Sequence, residues 1–157
     1  FLQGGMAHLF YIGEVEKHDF KNFEFKAEVK TAPSANSGIF FHTENRGKGG
    51  VKKGYEAQIN NTFVKDPRKT ASLVDVEDRL ESPVKDDEWY QYYIMVKGKQ
   101  IVIKINGKTI VDYTEVEKPV RKKGREERVL THGTFALQAH DAESKTWFRN
   151  IMVKPLP

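Results

Sequence analysis

Two short stretches of this chain carry polar residues at a spacing that can do proton chemistry. In Gly54–Asn60, Glu56, Gln58 and Asn60 alternate with Tyr55, Ala57 and Ile59; in Gly133–His140, Ala136, Gln138 and His140 alternate with Phe135, Leu137 and Ala139. A period of two belongs to a β-strand with one buried face, so the polar members face away from a core. If both strands lie in one sheet, Glu56, Gln58, Gln138 and His140 project from the same side. Gly38–Thr43 adds to them, because its alternation puts Phe40 and His42 opposite Ile39 and Phe41. A carboxylate, two imidazoles and two amides around an aromatic floor suit a sugar. Amides bind hydroxyls in pairs, an aromatic ring stacks on the sugar ring, and a carboxylate or imidazole moves protons. Arg149, beside Asn150 on a later strand, is either an ion-pair partner or an anion ligand. The competing reading is plainer: antiparallel sheets often leave one face wet, and each of these residues alone could be a solvated strand position.

The elements that must position them are strands. Met6–Gly13 alternates weakly. In Phe20–Thr31, Phe23, Phe25, Ala27 and Val29 alternate with charged residues, and the turn cluster Pro33, Ser34 and Asn36 leads to Gly38–Thr43, so Phe20–Thr43 is expected to form a hairpin. Asn36 and Ser37 could rim a pocket. Asn61–Lys85 lacks sustained periodicity and is expected to be loops around one short strand near Ala71–Val76. Glu88–Lys97, Gln100–Ile105 and Thr109–Tyr113 are expected as three consecutive antiparallel strands, the last two joined by Asn106-Gly107, a strong hairpin signal. Val116–Thr131 is a charged connection, and Thr146–Val153 a final strand. No long amphipathic helix is evident, although a short one could lie within Thr70–Leu80 or Pro119–Val129. Many short strands in one chain predict an all-β fold, two antiparallel sheets packed face to face as a single sandwich domain.

Composition narrows the function classes. At 157 residues, with 38% hydrophobic and 31% charged residues, the chain is long enough to bury a core and too polar for a membrane protein. No run reaches the roughly 18 apolar residues of a spanning helix. With no cysteine there is no disulfide, thiolate metal site or cysteine nucleophile. The formal charge is +4, but the basic residues bunch at Arg46–Lys53 and Lys118–Arg128, in expected loops and without interleaved aromatics, which argues against nucleic acid as a partner. Asp75, Glu77 and Asp78 lack the glycine and terminal glutamate of a calcium loop and read as an acidic turn. Trp89, Tyr90, Tyr92 and Tyr93 read as packing rather than a ligand platform.

Six motifs in order, Asn36-Ser37-Gly38-Ile39-Phe40-Phe41, Gly54-Tyr55-Glu56-Ala57-Gln58-Ile59, Glu88-Trp89, Ile105-Asn106-Gly107, Gly133 to His140, and Phe148-Arg149-Asn150-Ile151, resemble the 3-keto-disaccharide hydrolase domain family across nearly the whole chain. The resemblance implies a concanavalin-like jelly roll, export to the periplasm or beyond, a carbohydrate substrate or ligand, and cleavage of 3-keto-glycosides. It departs where His42 stands at a position many members fill with arginine, and where an N-terminal strand usual in the family is not seen before Phe1. The implied chemistry is removal of the C2 proton next to a C3 ketone, loss of the C1 leaving group, and addition of water. Glu56 or His140 is the expected base. His42, Arg149 or a divalent metal cation would stabilise the enolate, since two imidazoles and a carboxylate suit a transition metal. Gln58 and Gln138 would hold hydroxyls, with Phe40 beneath. The alternatives are a non-catalytic carbohydrate-binding module on the same face, or a structural domain of an exported protein.

Overall fold

A computed structural model of the chain describes residues 1–47 and 50–157; Lys48 and Gly49, within the basic stretch 46–53, lie outside the described residues. Among the described residues nine strands form two antiparallel sheets. They are β1 (Ala7–Phe10), β2 (Phe23–Thr31), β3 (Ser37–Thr43), β4 (Tyr55–Ile59), β5 (Tyr90–Lys97), β6 (Gln100–Ile105), β7 (Lys108–Thr114), β8 (Thr134–Ala139) and β9 (Thr146–Pro155). One sheet has the order β1-β8-β3-β4 and the other β7-β6-β5-β2-β9. Among the described residues no helix is long and apolar enough to cross a membrane.

The alternation in the sequence sets the core. Phe23, Phe25, Ala27 and Val29 of β2 meet Ile39 and Phe41 of β3, Tyr55, Ala57 and Ile59 of β4, and Phe135 and Leu137 of β8. Phe135 sits 4.7 Å from Phe23 and 5.1 Å from Phe25, ring centre to ring centre, which fastens β8 to the opposite sheet. Aromatic pairs at such distances add about 0.5–1.5 kcal/mol each beyond their buried area. Asn106 and Gly107 both have positive φ, 49° and 80°, the backbone that a two-residue hairpin turn needs to match strand twist.

Two expectations about elements are corrected. Phe20–Thr43 is not a hairpin, because β2 and β3 lie in different sheets and the 32–36 turn crosses from one layer to the other. Residues near Leu73 make isolated bridges, to Ala57 and Glu77, instead of a strand. No α-helix occurs among the described residues in either segment where one could have lain.

The two outer faces differ. On the five-stranded sheet the outward residues of β2, such as Lys26, Glu28 and Lys30, are exposed or half-buried, as expected of a wet face. On the four-stranded sheet they are covered: Phe40 is 4%, Gln58 1% and Gln138 7% exposed. Segments 61–68 and 116–131 supply residues that line this face.

Candidate functional site

Strand pairing places the candidate residues in two rows across the outer face of the four-stranded sheet. In one row Phe40 stands between Ala136 and Glu56; in the next, His8 pairs with Gln138 and Gly38 with Gln58. The absence of a side chain at Gly38 makes room for Glu56: a Cβ there would lie 3.0 Å from Glu56 Oε1 and 3.1 Å from its Cγ. Around these rows opens a cleft of about 300 Å³, lined by Phe40, Glu56, Gln58, Gln138 and His140 together with His8, Asn36, Asp66, Arg68, Arg125 and Arg128. That volume is at the lower end of the range for small-molecule pockets.

Glu56 is the central acid. Its Oε2 accepts a hydrogen bond from Arg128 Nη2 at 3.1 Å, while Oε1 has no donor among the described residues. Burial raises its pKa above the usual carboxylate value of 4.5, against the opposing pull of Arg128. A carboxylate held this way takes up a proton more readily than a solvated one. Arg128 is fixed from behind by a 2.7 Å bond from Nη1 to the Val74 carbonyl.

His140, at the other side of the cleft, donates or shares a proton through Nδ1 with Asp141 Oδ2 at 2.7 Å, and its ring lies edge-on to Phe63. Burial opposes ionisation of Asp141, but bonds from His140, Ser144 and the Glu143 and Ser144 backbone hold its pKa down to about 2. The aspartate therefore stays charged and orients the imidazole, leaving Nε2 for the cleft. His8 lies edge-on to Phe40, 5.0 Å away, and burial lowers its pKa.

Seven buried side-chain nitrogen or oxygen atoms have no hydrogen-bond partner among the described residues; four of them, His8 Nε2, Asn36 Oδ1, Gln58 Oε1 and Gln138 Oε1, belong to residues lining this cleft. Unpaired buried polar atoms cost about 1–3 kcal/mol each, a cost that a polar ligand or ordered water beside them would offset.

His42 and Arg149 are elsewhere. Between Phe40 and Thr43 the pairing with β8 slips by one residue, and His42 has φ of 54°. This bulge reverses the alternation, so His42 turns inward against Phe23 and Phe41. Its Nδ1 accepts the Thr131 N–H at 3.2 Å and its Nε2 bonds the Lys21 carbonyl at 2.8 Å, which fixes a neutral ring; burial brings its pKa down to about 4. Arg149 lies on β9 of the other sheet, bonded to Glu28 at 2.7 Å and stacked 4.0 Å over Trp89. Neither lines the cleft.

A metal does not fit these residues. Among the described residues no three His, Asp or Glu side chains gather closely enough to hold one. The expected set of two imidazoles and Glu56 is not assembled, since His42 faces the core and Glu56 is paired with a guanidinium. Asp75 is likewise committed, to Arg68 at 3.2 Å and Lys122 at 2.9 Å.

Eight lining residues were not singled out from the sequence: Met6, His8, Gly50, Val51, Asp66, Arg68, Arg125 and Arg128. The arginines and Asp66 come from aperiodic loops, where spacing gives no direction. Asp66-Pro67-Arg68 shows only a turn, yet Asp66 forks Arg68 with bonds of 2.9 and 2.8 Å. The loop is wound around Asn60, whose amide nitrogen reaches the carbonyls of Phe63, Asp66 and Arg68 at 2.8–3.2 Å.

The two-sheet antiparallel sandwich has the jelly-roll fold that galectins and carbohydrate binding modules also have. A candidate glycosyl hydrolase from Parabacteroides distasonis superposes with a TM-score of 0.81 at 18% identity, covering 99% of this chain and 79% of its own. A carbohydrate binding module from Bacillus subtilis gives 0.62 at 12% identity (97% and 83%), and a galectin from Caenorhabditis elegans 0.55 at 14% (98% and 94%). At these identities the likeness is one of fold. No curated protein matches the chain in sequence. Residues 12–154 match the model of the 3-keto-alpha-glucoside-1,2-lyase-like domain, and the chain belongs to that family of carbohydrate-directed lyases and hydrolases.

Proposed function

We propose that the chain cleaves 3-keto-glycosides in this cleft, by elimination across C2–C1 followed by addition of water. The observation that carries the reading is the arrangement around Glu56: a carboxylate of raised proton affinity with one unbonded oxygen, a guanidinium on the other, and a cluster of orphaned polar atoms around it.

A ketone at C3 makes the C2 proton acidic. Glu56 Oε1 takes that proton, and the electron pair moves into the C2–C3 bond, leaving negative charge on the C3 oxygen. The charges of Arg128 and Arg68, both lining the cleft, favour that charge; a preorganised cation in a partly dry site is the usual means of stabilising an enolate. The pair then returns to form C1–C2 unsaturation as the C1–O bond breaks. His140, oriented by the ionised Asp141, gives its Nε2 proton to the leaving oxygen. Water adds at C1, losing its proton to the His140 imidazole, and Glu56 returns its proton to C2. The Gln58 and Gln138 amides serve the hydroxyls, over Phe40. This route needs no second carboxylate flanking the bond, unlike oxocarbenium mechanisms.

A binding-only role on the same face is the second reading, favoured by the orphaned acceptors, which serve recognition as well as turnover. The test is incubation of a chromogenic 3-keto-glucoside with the protein and with Glu56→Gln. Release of aglycone that falls by about 100-fold or more in the variant is expected of a general base. Binding without release in both proteins would replace the first reading by the second; neither binding nor release would remove both.

A further inference from the structure

We propose that the glycoside taken by this cleft carries an anionic substituent, a carboxylate, sulfate or phosphate, and that Arg125 is the residue that selects it. The inference rests on the reading of the cleft as a sugar site and adds the class of sugar.

Three arginines line the cleft, against the two carboxylates Glu56 and Asp66. Two of the three are committed. Arg68 is forked by Asp66 and also touches Asp75; Arg128 is bonded to Val74 and Glu56. Arg125 is different. Its nearest acidic atom is Asp75 Oδ2, 3.5 Å from Nε and beyond a good hydrogen bond, and among the described residues its two terminal nitrogens bond nothing. Asp75 is in any case shared with Arg68 and with Lys122 at 2.9 Å. The side chain lines the cleft and is 40% exposed, so a solute can reach it.

The backbone beneath it is built, not frayed. Arg125 N–H bonds the Lys122 carbonyl at 2.9 Å, and the Arg125 carbonyl accepts the Arg128 N–H at 3.0 Å. Just upstream, Arg121 is locked among Tyr55, Tyr113 and Glu115 at 2.7–3.1 Å. Neutral hydroxyls are already provided for by the amides of Asn36, Gln58 and Gln138. A guanidinium with both terminal nitrogens free offers a fork that matches a carboxylate, sulfate or phosphate edge to edge, and such charge-assisted pairs are about twice as strong as neutral ones.

The experiment measures binding of non-keto glycosides, which cannot be eliminated, to the full chain by titration calorimetry at low salt. The probes are methyl glucoside, methyl glucuronide, methyl glucoside 6-sulfate and methyl glucoside 6-phosphate. At least one anionic probe is expected to bind about tenfold tighter than methyl glucoside, weakening as salt is raised. Arg125→Gln is expected to bring that probe to the level of the neutral sugar while leaving methyl glucoside unchanged. Which of the three anions gains identifies the substituent. Equal binding of neutral and anionic probes, no binding of any, or an equal loss for both kinds in Arg125→Gln would overturn the proposal. Since no step of this assay requires turnover, charge selection without cleavage of keto-sugars would sink only the proposed reaction, and cleavage without charge selection only this inference.

Discussion

Replacing Arg128 by methionine tests the electrostatic centre of the cleft without any substrate. The Arg128 and Glu56 side chains are 3% and 12% exposed and 3.1 Å apart, so the pair is a buried one. Removing one partner of such a pair costs about 3–5 kcal/mol, since the other charge is left buried and uncompensated. Part of that cost is not Glu56's: the Val74 carbonyl also loses its donor, which accounts for about 1–2 kcal/mol. The coupling between the two side chains is then about 2–3 kcal/mol. In a double-mutant cycle with Glu56→Gln, measured by urea unfolding, the two single costs should exceed the double by that amount. The pH dependence has a fixed sign. Glu56 has a folded pKa raised above 4.5, so its contribution to stability is fully present below the unfolded value and is lost as pH rises through the folded one. Without Arg128 the rise is larger. The gap between Arg128→Met and the parent should be widest at pH 7.5 and shrink toward the Val74 remainder near pH 4. Titrating groups remote from Arg128 cancel in the difference, and Asp75, whose pKa Arg128 helps to lower, adds a change of the same sign. Costs that add to within about 0.5 kcal/mol, with a gap flat in pH, would refute the account of Glu56 as a burial-tuned acid.

Two further outcomes follow from positions beside the cleft. His42 is held neutral with a pKa of about 4 against the ordinary 6.5, so the stability it protects is present above pH 6.5 and lost as pH falls toward 4. The shift corresponds to about 3 kcal/mol, and His42→Gln should flatten that part of the acid side of a urea-midpoint profile; an unchanged profile would show that another group causes it. Gly38→Ala places a methyl 3.0 Å from Glu56 Oε1 and must push the carboxylate by tenths of an ångström. A displacement of that size should lower keto-glycoside turnover by about tenfold or more with little change in thermal unfolding, and turnover at the parent rate would argue against Glu56 as the base.

What the sequence made legible was face, and what it hid was sheet membership and loop direction. Alternation correctly separates Phe135 and Leu137 from Gln138 and Glu56 from Tyr55, because period two is a local property of the backbone. It cannot say which sheet a strand joins, so Arg149, outward on β9, reads like Gln138, outward on β8, although the two lie on opposite sides of the molecule. The hairpin expected over Phe20–Thr43 fails for the same reason. Period also breaks at a bulge: one extra residue after Phe40 turns His42 from outward to inward, and nothing in Phe40-Phe41-His42-Thr43 announces it. Arg68, Arg125 and Arg128 were invisible as a group because aperiodic segments carry no facing information; only the tertiary path brings Arg128 to Glu56, 72 residues away in sequence.

The misplaced histidine nevertheless bears on the site. The wall that carries Arg125 and Arg128 has no regular secondary structure, and its position depends on a few fixed points. At one end Arg121 is held by Glu115, Tyr55 and Tyr113; in the middle the Glu127 carbonyl accepts the Gly54 N–H at 2.9 Å; at the other end Thr131 donates to His42. His42 in turn is tied to the Lys21 carbonyl, ahead of β2 in the opposite sheet. A protonated His42 would have no lone pair for Thr131, so the burial that keeps the ring neutral also keeps this peg in place. The division of labour is physical: the sheet holds Glu56, Gln58 and Gln138 rigidly by ladder hydrogen bonds, while the cations that set their charge balance ride on a segment pegged to the core. Substitutions that break these contacts should therefore displace the arginines more than the strand ladder that holds Glu56, Gln58 and Gln138.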